Sequence, residues 1–338
     1  MALLLGRHDD FALHDTGLSH PERPARLEAV LKGVQESGVA EDIISFAPRE
    51  ATGAELSRVH DAAYVERLER LCGGGGGFLD ADTLASPASY RVALRAAGAG
   101  IDAAERLAVG EGDAAFLALR PPGHHAQRGR AMGFCLFNNV AVTAAALAAS
   151  GERVAIVDWD AHHGNGTQEI FYERSDVLYV SFHQYPFYPG TGSFRETGAG
   201  EGAGTTVNIP LPEATTGDTY RAAFDLVVAP VVERFAPSWV LISAGFDGHR
   251  ADPLTDLGLS AGDFADLTRL SMELAPKGRR IAVLEGGYDL AALETSVAGS
   301  VAALAGESRH FEPASSSGPA SDAGAAVLEV LRRLHVTG

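Results

Sequence analysis

Short apolar runs that end in metal-binding or acid-base residues constrain the fold of this chain most strongly. The clearest run, Val154 to His163, reads VAIVDWDAHH. Its apolar, β-branched composition predicts a buried strand. Alternate side chains of an extended chain share one face, so we expect Asp160 and His162 to point the same way and to be able to bind one metal ion.

Two later runs repeat this arrangement. WVLISAG leads into Phe246 and Asp247, and IAVLEGG leads into Tyr288. Strand and helix patterns alternate along the chain, which predicts a parallel sheet covered by helices on both faces. In such sheets ligands bind outside the carboxyl ends of the strands, so we expect these motifs to converge. The sequence therefore predicts a metal-dependent hydrolase of the α/β class.

The same patterns predict the individual elements. The glycine run 73–77 is predicted to be a loop, because it lacks the lysine and Ser/Thr of a phosphate-binding loop. Strands are predicted over residues 114–119, 153–160, 177–182, 239–244 and 281–284. Helices are predicted over residues 20–34, 57–71, 89–109, 138–149, 166–172, 220–235, 261–274 and 325–334.

Composition favours a single enzyme domain over residues 1–338. The chain is 46% hydrophobic and 21% charged, and no Pro/Ser-rich linker divides the motif region. Its two cysteines, Cys72 and Cys135, form no CxxC pair, so structural disulfides are not expected. We find no signal-peptide pattern and no run near the roughly 20 apolar residues that span a bilayer. A cytoplasmic protein without membrane contact is expected.

The net charge narrows the range of partners. A formal charge of −17 argues against direct binding of nucleic acid, which requires basic patches. The same charge is mildly favourable for cationic substrates such as lysine side chains or polyamines.

A hydrolytic zinc site needs about three protein ligands and an open position for water. Asp160, His162 and Asp247 supply such a set. Each aspartate alone could equally be a helix cap or a turn residue, but together they favour a metal site. Asp158 and Asn165 are well placed in the sequence to orient neighbouring histidines.

Acid-base chemistry is indicated by His124 and His125 in the motif RPPGHHA. Two prolines and a glycine stiffen this loop, and rigidity positions a general base near the reacting water. Tyr288 supplies a phenol that can donate a hydrogen bond to a developing oxyanion, although an ordinary core aromatic would look the same. Gly287, directly before Tyr288, permits close approach of the backbone to substrate.

Six motifs together resemble the zinc-dependent histone deacetylase family: RPPGHHA, MGFCLFNN, DWDAHHGNGTQ, FYPGTG, GFDGHRADPL and EGGYDL. Their order and spacing match from about His20 to about Ser300. The details lean toward the class II branch and its bacterial relatives, which include acetylpolyamine amidohydrolases. The resemblance implies an arginase-like, three-layer α/β/α fold with an eight-stranded, mostly parallel sheet.

The resemblance also implies roles for the residues found above. Asp160, His162 and Asp247 match the zinc ligands, and Tyr288 matches the residue that polarises the scissile carbonyl. His124 and His125 match the paired catalytic histidines, and the second is the better candidate for general base. Asp158 would then support His124, and Asn165 would support His125.

Substrate-binding residues follow from the same match. Gly133, Phe134 and Tyr188 are expected to line a narrow tunnel for the acyl-lysine stem. Leu254 occupies the position at which some polyamine-selective relatives carry an acidic residue. Asp80 or Asp82 corresponds to a carboxylate at the tunnel rim, and the alignment favours Asp80.

The family also holds a structural potassium ion, partly through main-chain oxygens. The matching positions are Asp158, Asp160, His162, Ser181 and Phe182.

Rival functions remain open. An arginase-like enzyme with two manganese ions is disfavoured, because Gly164 and His249 stand where further carboxylates would be needed. An acetylpolyamine amidohydrolase is a closer alternative to an acyl-lysine deacetylase. A module that binds acyl-lysine or metal without catalysis is a remote alternative, since all the expected catalytic residues are present. The oligomeric state is not predicted.

Overall fold

The computed structural model describes residues 1–337 and contains one large sheet. Its strands are β1 (Leu3–Gly6), β2 (Ile43–Phe46), β5 (Ala114–Leu117), β6 (Val154–Asp158), β7 (Val177–Gln184), β8 (Thr206–Leu211), β9 (Trp239–Ala244) and β10 (Arg280–Leu284). Within these residues the eight strands follow the order β2-β1-β5-β10-β9-β6-β7-β8, and every ladder is parallel. A separate antiparallel hairpin joins β3 (Gly77–Phe78) to β4 (Leu84–Ala85).

Helices cover both faces of the sheet. They are α1 (Ala25–Glu36), α2 (Gly53–Leu56), α3 (Ala62–Gly73), α4 (Ser89–Ala108), α5 (Asn139–Ala149), α6 (Asn165–Phe171), α7 (Gly217–Ala223), α8 (Ala229–Phe235), α9 (Ala261–Met272), α10 (Leu290–Leu304) and α11 (Ser321–His335). A π-helical turn, Phe224–Val228, links α7 to α8.

Two buried apolar cores lie on opposite faces of the sheet. One core contains side chains of α1, α9, α10 and α11, and the other contains side chains of α3, α4, α5 and α6. Strand β6 supplies both, because Ala155 and Val157 belong to the first core and Val154 and Ile156 to the second. Successive strand residues point to opposite faces, so a strand buried on both sides is apolar throughout. The predicted three-layer α/β/α fold is confirmed.

The five predicted strands are all present in the large sheet, and the three strands of that sheet that were not predicted are peripheral. The short hairpin strands β3 and β4 were not predicted either. β1 and β2 form one edge of the sheet and β8 forms the other. β2 is partly exposed and β8 contains a proline, so neither has the continuous apolar run of a central strand.

Several helix boundaries differ from the predictions. The helix predicted over residues 57–71 corresponds to α3, which begins later, at Ala62. A separate one-turn helix, α2, precedes it and begins with a capping box formed by Thr52 and Glu55. The helix predicted over residues 220–235 starts at Gly217 and contains the π-helical turn. α10 was not predicted. Among residues 1–337 no helix combines the length and apolarity needed to cross a bilayer.

Strand register brings the predicted motifs together. Asp158, the last residue of β6, lies opposite Ser243 of β9, and Leu284, the last residue of β10, lies opposite Ala244. The residues that follow these three strands therefore leave the same edge of the sheet. The candidate active site lies at this edge of the sheet.

Candidate active site

Asp160, His162 and Asp247 form a compact group with possible ligand atoms all within 4.8 Å of one another. His162 Nδ1 lies 3.2 Å from Asp160 Oδ1 and 2.9 Å from Asp247 Oδ2. Both carboxylates are buried, and the His162 side chain is 12% exposed. Two oxygen ligands and one imidazole nitrogen from two separate loops thus face a common point.

The backbone holds these carboxylates in place. Ala161 N donates to Asp247 Oδ1 over 2.8 Å, and Gly286 N donates to Asp160 Oδ2 over 2.8 Å. A Cβ atom on Gly286 would lie 2.6 Å from Asp160 Oδ2 and closer still to Asp247 Oδ2. Glycine is required here because the backbone passes directly behind both carboxylates.

The electrostatics of this group fit a bound cation. Burial opposes charge on His162, but its bonds to Asp160 and Asp247 outweigh burial and raise its pKa to about 10. Burial and the neighbouring Asp160 raise the pKa of Asp247 to about 7. Two carboxylates this close require a compensating positive charge, and an O, N, O donor set suits zinc. These three residues would hold the metal.

The paired histidines lie beside this group with different partners. His124 Nδ1 lies 3.1 Å from Asp158 Oδ2, which also accepts a 3.0 Å hydrogen bond from the Tyr179 hydroxyl. His125 Nδ1 lies 2.8 Å from Asn165 Oδ1. A carboxylate beside one imidazole and an amide beside the other create two unlike environments.

The two histidines consequently differ in pKa. Burial opposes charge on His124, but Asp160 and Asp158 outweigh it and raise the pKa of His124 to about 10. Burial, together with His124 and His162, holds the pKa of His125 well below its usual value. A neutral His125 that donates through Nδ1 to Asn165 keeps Nε2 free as a proton acceptor.

Two further side chains hold the histidine loop. Glu285, fully buried, accepts hydrogen bonds from Gly123 N over 2.6 Å and His124 N over 3.2 Å. Asn138 Nδ2 donates to the carbonyl of Ala126 over 3.2 Å. Neither residue was predicted to have a role, although a carboxylate directly after the buried strand β10 is a sequence signal that could have identified Glu285.

A cavity of about 220 Å³ lies beside the group of Asp160, His162 and Asp247, since His162 is one of its lining residues. Its wall includes four of the five residues predicted to be catalytic or to be aromatic residues of the tunnel, and His124 is the one that does not line it. It is lined by Asp82, His125, Gly133, Phe134, His162, Phe187, Tyr188, Leu254 and Tyr288.

The Gly133-Phe134 turn shapes one wall of this cavity. Both residues have positive φ, 56° and 67°, which is rare for phenylalanine. A Cβ on Gly133 would lie 2.8 Å from His125 Cγ. Phe134 is held by its N–H, which donates to Thr83 Oγ1 over 3.1 Å, and by the edge-to-face ring of His20. Backbone strain here is retained by surrounding contacts, as is common at functional sites.

Tyr288 lines the cavity next to Phe134. Its ring is 5.7 Å from the Phe134 ring, and the guanidinium of Arg26 is 5.0 Å from the Tyr288 ring centroid. Arg26 Nε also donates to the carbonyl of Gly287 over 2.7 Å. Burial raises the pKa of Tyr288 well above its usual value, so the phenol stays protonated and able to donate.

The aspartate that lines the cavity is not the one that the family resemblance favoured. Asp82 lines the cavity, whereas Asp80 is not among the lining residues. Asp80 Oδ1 instead accepts hydrogen bonds from Thr83 N over 2.8 Å and Asp82 N over 3.2 Å, which closes the turn of the β3–β4 hairpin. The sequence cannot show which of Asp80 and Asp82 faces the cavity, because the geometry of the turn decides it.

Other predicted substrate residues fall in two groups. Leu254 and Tyr188 line the cavity, and Tyr188 is 39% exposed. Gly287 is not a lining residue. It has a φ of 117°, and its carbonyl accepts a hydrogen bond from Arg26 Nε. Phe187 lines the cavity 5.5 Å from the His162 ring but was not predicted, since the FYPG motif does not say which aromatic faces inward.

The residues predicted to hold potassium lie on the adjacent strands β6 and β7 and in the loop that follows β6. Asp158 of β6 is opposite Ser181 of β7, and Phe182 follows Ser181. Asp160 and His162 belong to the loop directly after β6. Potassium binding by these residues stays a prediction that the resemblance implies.

Comparison with known proteins identifies the family of this chain. The Histone deacetylase domain model matches residues 20–304. A probable deacetylase of Archaeoglobus fulgidus is 43% identical over 88% of this chain and 85% of its own length. The histone deacetylase-like amidohydrolase of Pseudomonas aeruginosa is 40% identical over 79% of this chain and 71% of its own length.

The solved structures give the same result. The crystal structure of the HDA15 HD domain matches with a TM-score of 0.91 at 36% identity, over 99% of this chain and 96% of that chain. The chain therefore belongs to the histone deacetylase family. Membership places it among hydrolases that act on amides, and the predicted family resemblance is confirmed.

Proposed function

We propose that this protein is a zinc-dependent amidohydrolase that removes acetyl or other acyl groups from the ε-amine of lysine in proteins or peptides. One observation carries the proposal. The group Asp160, His162 and Asp247 opens onto the same small cavity as His125 and Tyr288. A metal site, a proton acceptor and a hydrogen-bond donor therefore meet where one amide can reach all three.

A zinc ion bound by Asp160, His162 and Asp247 would supply Lewis-acid activation of the reacting oxygens. His125, held neutral and oriented by Asn165, accepts the proton of the attacking water at Nε2. The Tyr288 hydroxyl donates to the oxygen that becomes negative as the carbonyl is attacked.

The departing amine then takes a proton from His125, which completes the cycle. His124, charged beside Asp158, stabilises negative charge in the site and carries no proton to the substrate. The two histidines thus have different roles, because Asp160 and Asp158 raise the pKa of His124, whereas burial, together with His124 and His162, lowers the pKa of His125.

The side chains that line the cavity support an acyl-lysine substrate. Phe134, Phe187, Tyr188 and Leu254 form apolar and aromatic walls that suit an alkyl stem. Asp82 at the rim can accept a hydrogen bond from a substrate backbone N–H. We propose Asp82 as the rim carboxylate, although Asp80 was the preferred residue from the alignment.

An acetylpolyamine is the second candidate substrate. It is favoured by the carboxylate of Asp82 at the rim and by the net charge of −17, both of which attract a cationic amine. The apolar Leu254 favours acyl-lysine, because it offers no charge to pair with a second amine.

We also propose a structural potassium ion at Asp158, Asp160, His162, Ser181 and Phe182, a cytoplasmic location, and one domain over residues 1–338. Packing of α11 against β8 supports the single domain. Binding to nucleic acid is not part of the proposal.

Metal analysis combined with a substrate panel tests the proposal. The purified protein is expected to bind about one zinc per chain and to release acetate from acetyl-lysine peptides faster than from acetylputrescine or acetylspermidine. Peptides with longer acyl groups measure the acyl preference. Preference for the polyamines would reverse the substrate assignment, and zinc binding without acetate release would indicate a non-catalytic module.

A further inference from the structure

Asp252 connects two loops that line the cavity. Its Oδ2 accepts hydrogen bonds from Tyr288 N over 2.7 Å and from Asp289 N over 3.4 Å. Its Oδ1 accepts a 2.9 Å hydrogen bond from Leu254 N. One carboxylate thus holds the backbone of two cavity residues that are 34 positions apart in sequence.

The carboxylate is itself fixed in place. Asp252 is 7% exposed, and its backbone N donates to the carbonyl of His249 over 2.8 Å. His249 Nε2 lies 3.0 Å from Glu312 Oε2, which also accepts from Ala261 N over 2.9 Å. The loop that carries Asp252 is therefore tied to α9 and to the C-terminal segment, so Asp252 can act as a rigid anchor.

Tyr288 depends on such an anchor. It follows Gly286 and Gly287, and Gly287 has a φ of 117°. A pair of glycines provides little conformational restriction of its own, so the direction of the phenol must be set by hydrogen bonds to this backbone and by contacts of the Tyr288 ring.

We infer that Asp252 is a positioning residue that holds the Tyr288 hydroxyl toward the substrate carbonyl and the Leu254 wall against the substrate stem. The inference rests on the proposed function of Tyr288. Loss of the Asp252 bonds lets Tyr288 shift, and a displacement of about 1 Å lowers catalysis by about 100-fold.

A double-mutant cycle with Tyr288→Phe tests the inference. In Asp252→Asn the amide group replaces one carboxylate oxygen, so a donor faces the N–H of Leu254 or of Tyr288. We expect kcat to fall by about 10- to 100-fold with bound zinc unchanged. In the Tyr288→Phe background, where the hydroxyl is absent, the same change is expected to lower kcat by less than about 3-fold.

KM measures the second effect of Asp252, which is to hold the Leu254 wall in place. Any increase in KM caused by movement of the Leu254 wall is expected to be the same in both backgrounds, since it does not involve the Tyr288 hydroxyl. Asp256→Asn is the matched control, because it removes the same charge from the same loop and its carboxylate contacts Gln184. Its kcat is expected to stay unchanged.

The outcomes separate two failures. If Tyr288→Phe itself leaves kcat unchanged, the proposed function of Tyr288 is wrong. If Tyr288→Phe lowers kcat but Asp252→Asn does not, or if the two losses multiply in full, the inference about Asp252 is wrong. Should Asp252→Asn not fold, the cycle is repeated with Asp252→Ser, a smaller side chain that keeps one acceptor.

Discussion

At the scale of single residues, the Tyr288 hydroxyl is expected to contribute to the transition state and not to metal binding. Tyr288→Phe removes only the donor, so kcat should fall by about 100- to 1000-fold, the usual loss for one oxyanion donor. Bound zinc should stay the same, since Tyr288 is not in the Asp160, His162 and Asp247 group. Steady-state kinetics and metal analysis of the variant check this, and full activity would contradict the role.

Gly286 is predicted to be essential for metal binding although it contributes no ligand. In Gly286→Ala the new methyl group would overlap the carboxylates of Asp160 and Asp247. We expect the variant to fold but to lose most of its bound zinc, measured by elemental analysis. Gly53→Ala is the control, because a Cβ at Gly53 meets no atom within 4 Å. Retention of zinc by Gly286→Ala would show that the carboxylates can move aside.

At the scale of secondary structure, the strands and their connections place these residues. The strands that carry the site, β6, β9 and β10, are adjacent in the centre of the sheet and were predicted. They are buried on both faces, and their continuous apolar runs make them recognisable. The peripheral strands β1, β2 and β8 were missed because their stabilisation comes from neighbours that the local sequence does not show.

One helix terminus offers a test of local backbone strain. Ala236 ends α8 with a φ of 51° and a ψ of 62°, the left-handed conformation that glycine adopts most easily. Ala236→Gly is expected to raise the free energy of unfolding by about 1 kcal/mol. Urea denaturation measures the change, and kcat should not change because Ala236 is remote from the cavity lining.

The control for this prediction is Ala326→Gly in α11. Ala326 lies inside a right-handed helix and is exposed, so the same substitution should lower stability by about 1 kcal/mol. If both variants changed stability in the same direction, the left-handed conformation of Ala236 would not be the cause.

At the scale of the whole molecule, a buried ion cluster ties the N-terminal region to the histidine loop. Glu22, fully buried, accepts hydrogen bonds from Arg120 Nη2 over 2.6 Å and Arg26 Nη1 over 3.2 Å. Arg120 also donates to the carbonyls of Phe11 over 3.0 Å and His14 over 3.1 Å. Arg120 begins the RPPGHHA motif, so this cluster anchors the loop that carries His124 and His125.

Glu22→Gln should lower stability, and the loss should depend on pH. Burial opposes charge on Glu22, but Arg120 outweighs it and lowers the pKa of Glu22 to about 2. The stabilisation is therefore fully present above the ordinary value near 4.5 and is lost as the pH falls toward 2. We expect Glu22→Gln to be about 3–5 kcal/mol less stable at pH 7, with a smaller difference at pH 3.

Urea denaturation at both pH values checks this prediction. Glu105→Gln serves as the control, because the Glu105 side chain is 62% exposed and its ion pair with Arg49 should contribute little at either pH. A constant difference between wild type and Glu22→Gln from pH 7 to pH 3 would contradict the depressed pKa.

The sequence alone determined the class of fold, the central strands and the three residues that cluster beside the cavity, Asp160, His162 and Asp247. These depend on short-range patterns, since apolar runs identify buried strands and strand ends in a parallel sheet must share an edge. His124, His125 and Tyr288 also followed from local motifs, and the structure brings them next to Asp160, His162 and Asp247.

Only the tertiary structure decided which neighbouring residue faces the cavity and which polar groups hold it in shape. Asp82 rather than Asp80 lines the cavity because of the hairpin turn, and Phe187 lines it together with Tyr188. Asp252 and Glu285 act on backbone N–H groups far away in sequence. Every residue has a similar backbone, so a contact to the main chain leaves no signature in the partner's side chain, and only the folded path of the chain reveals it.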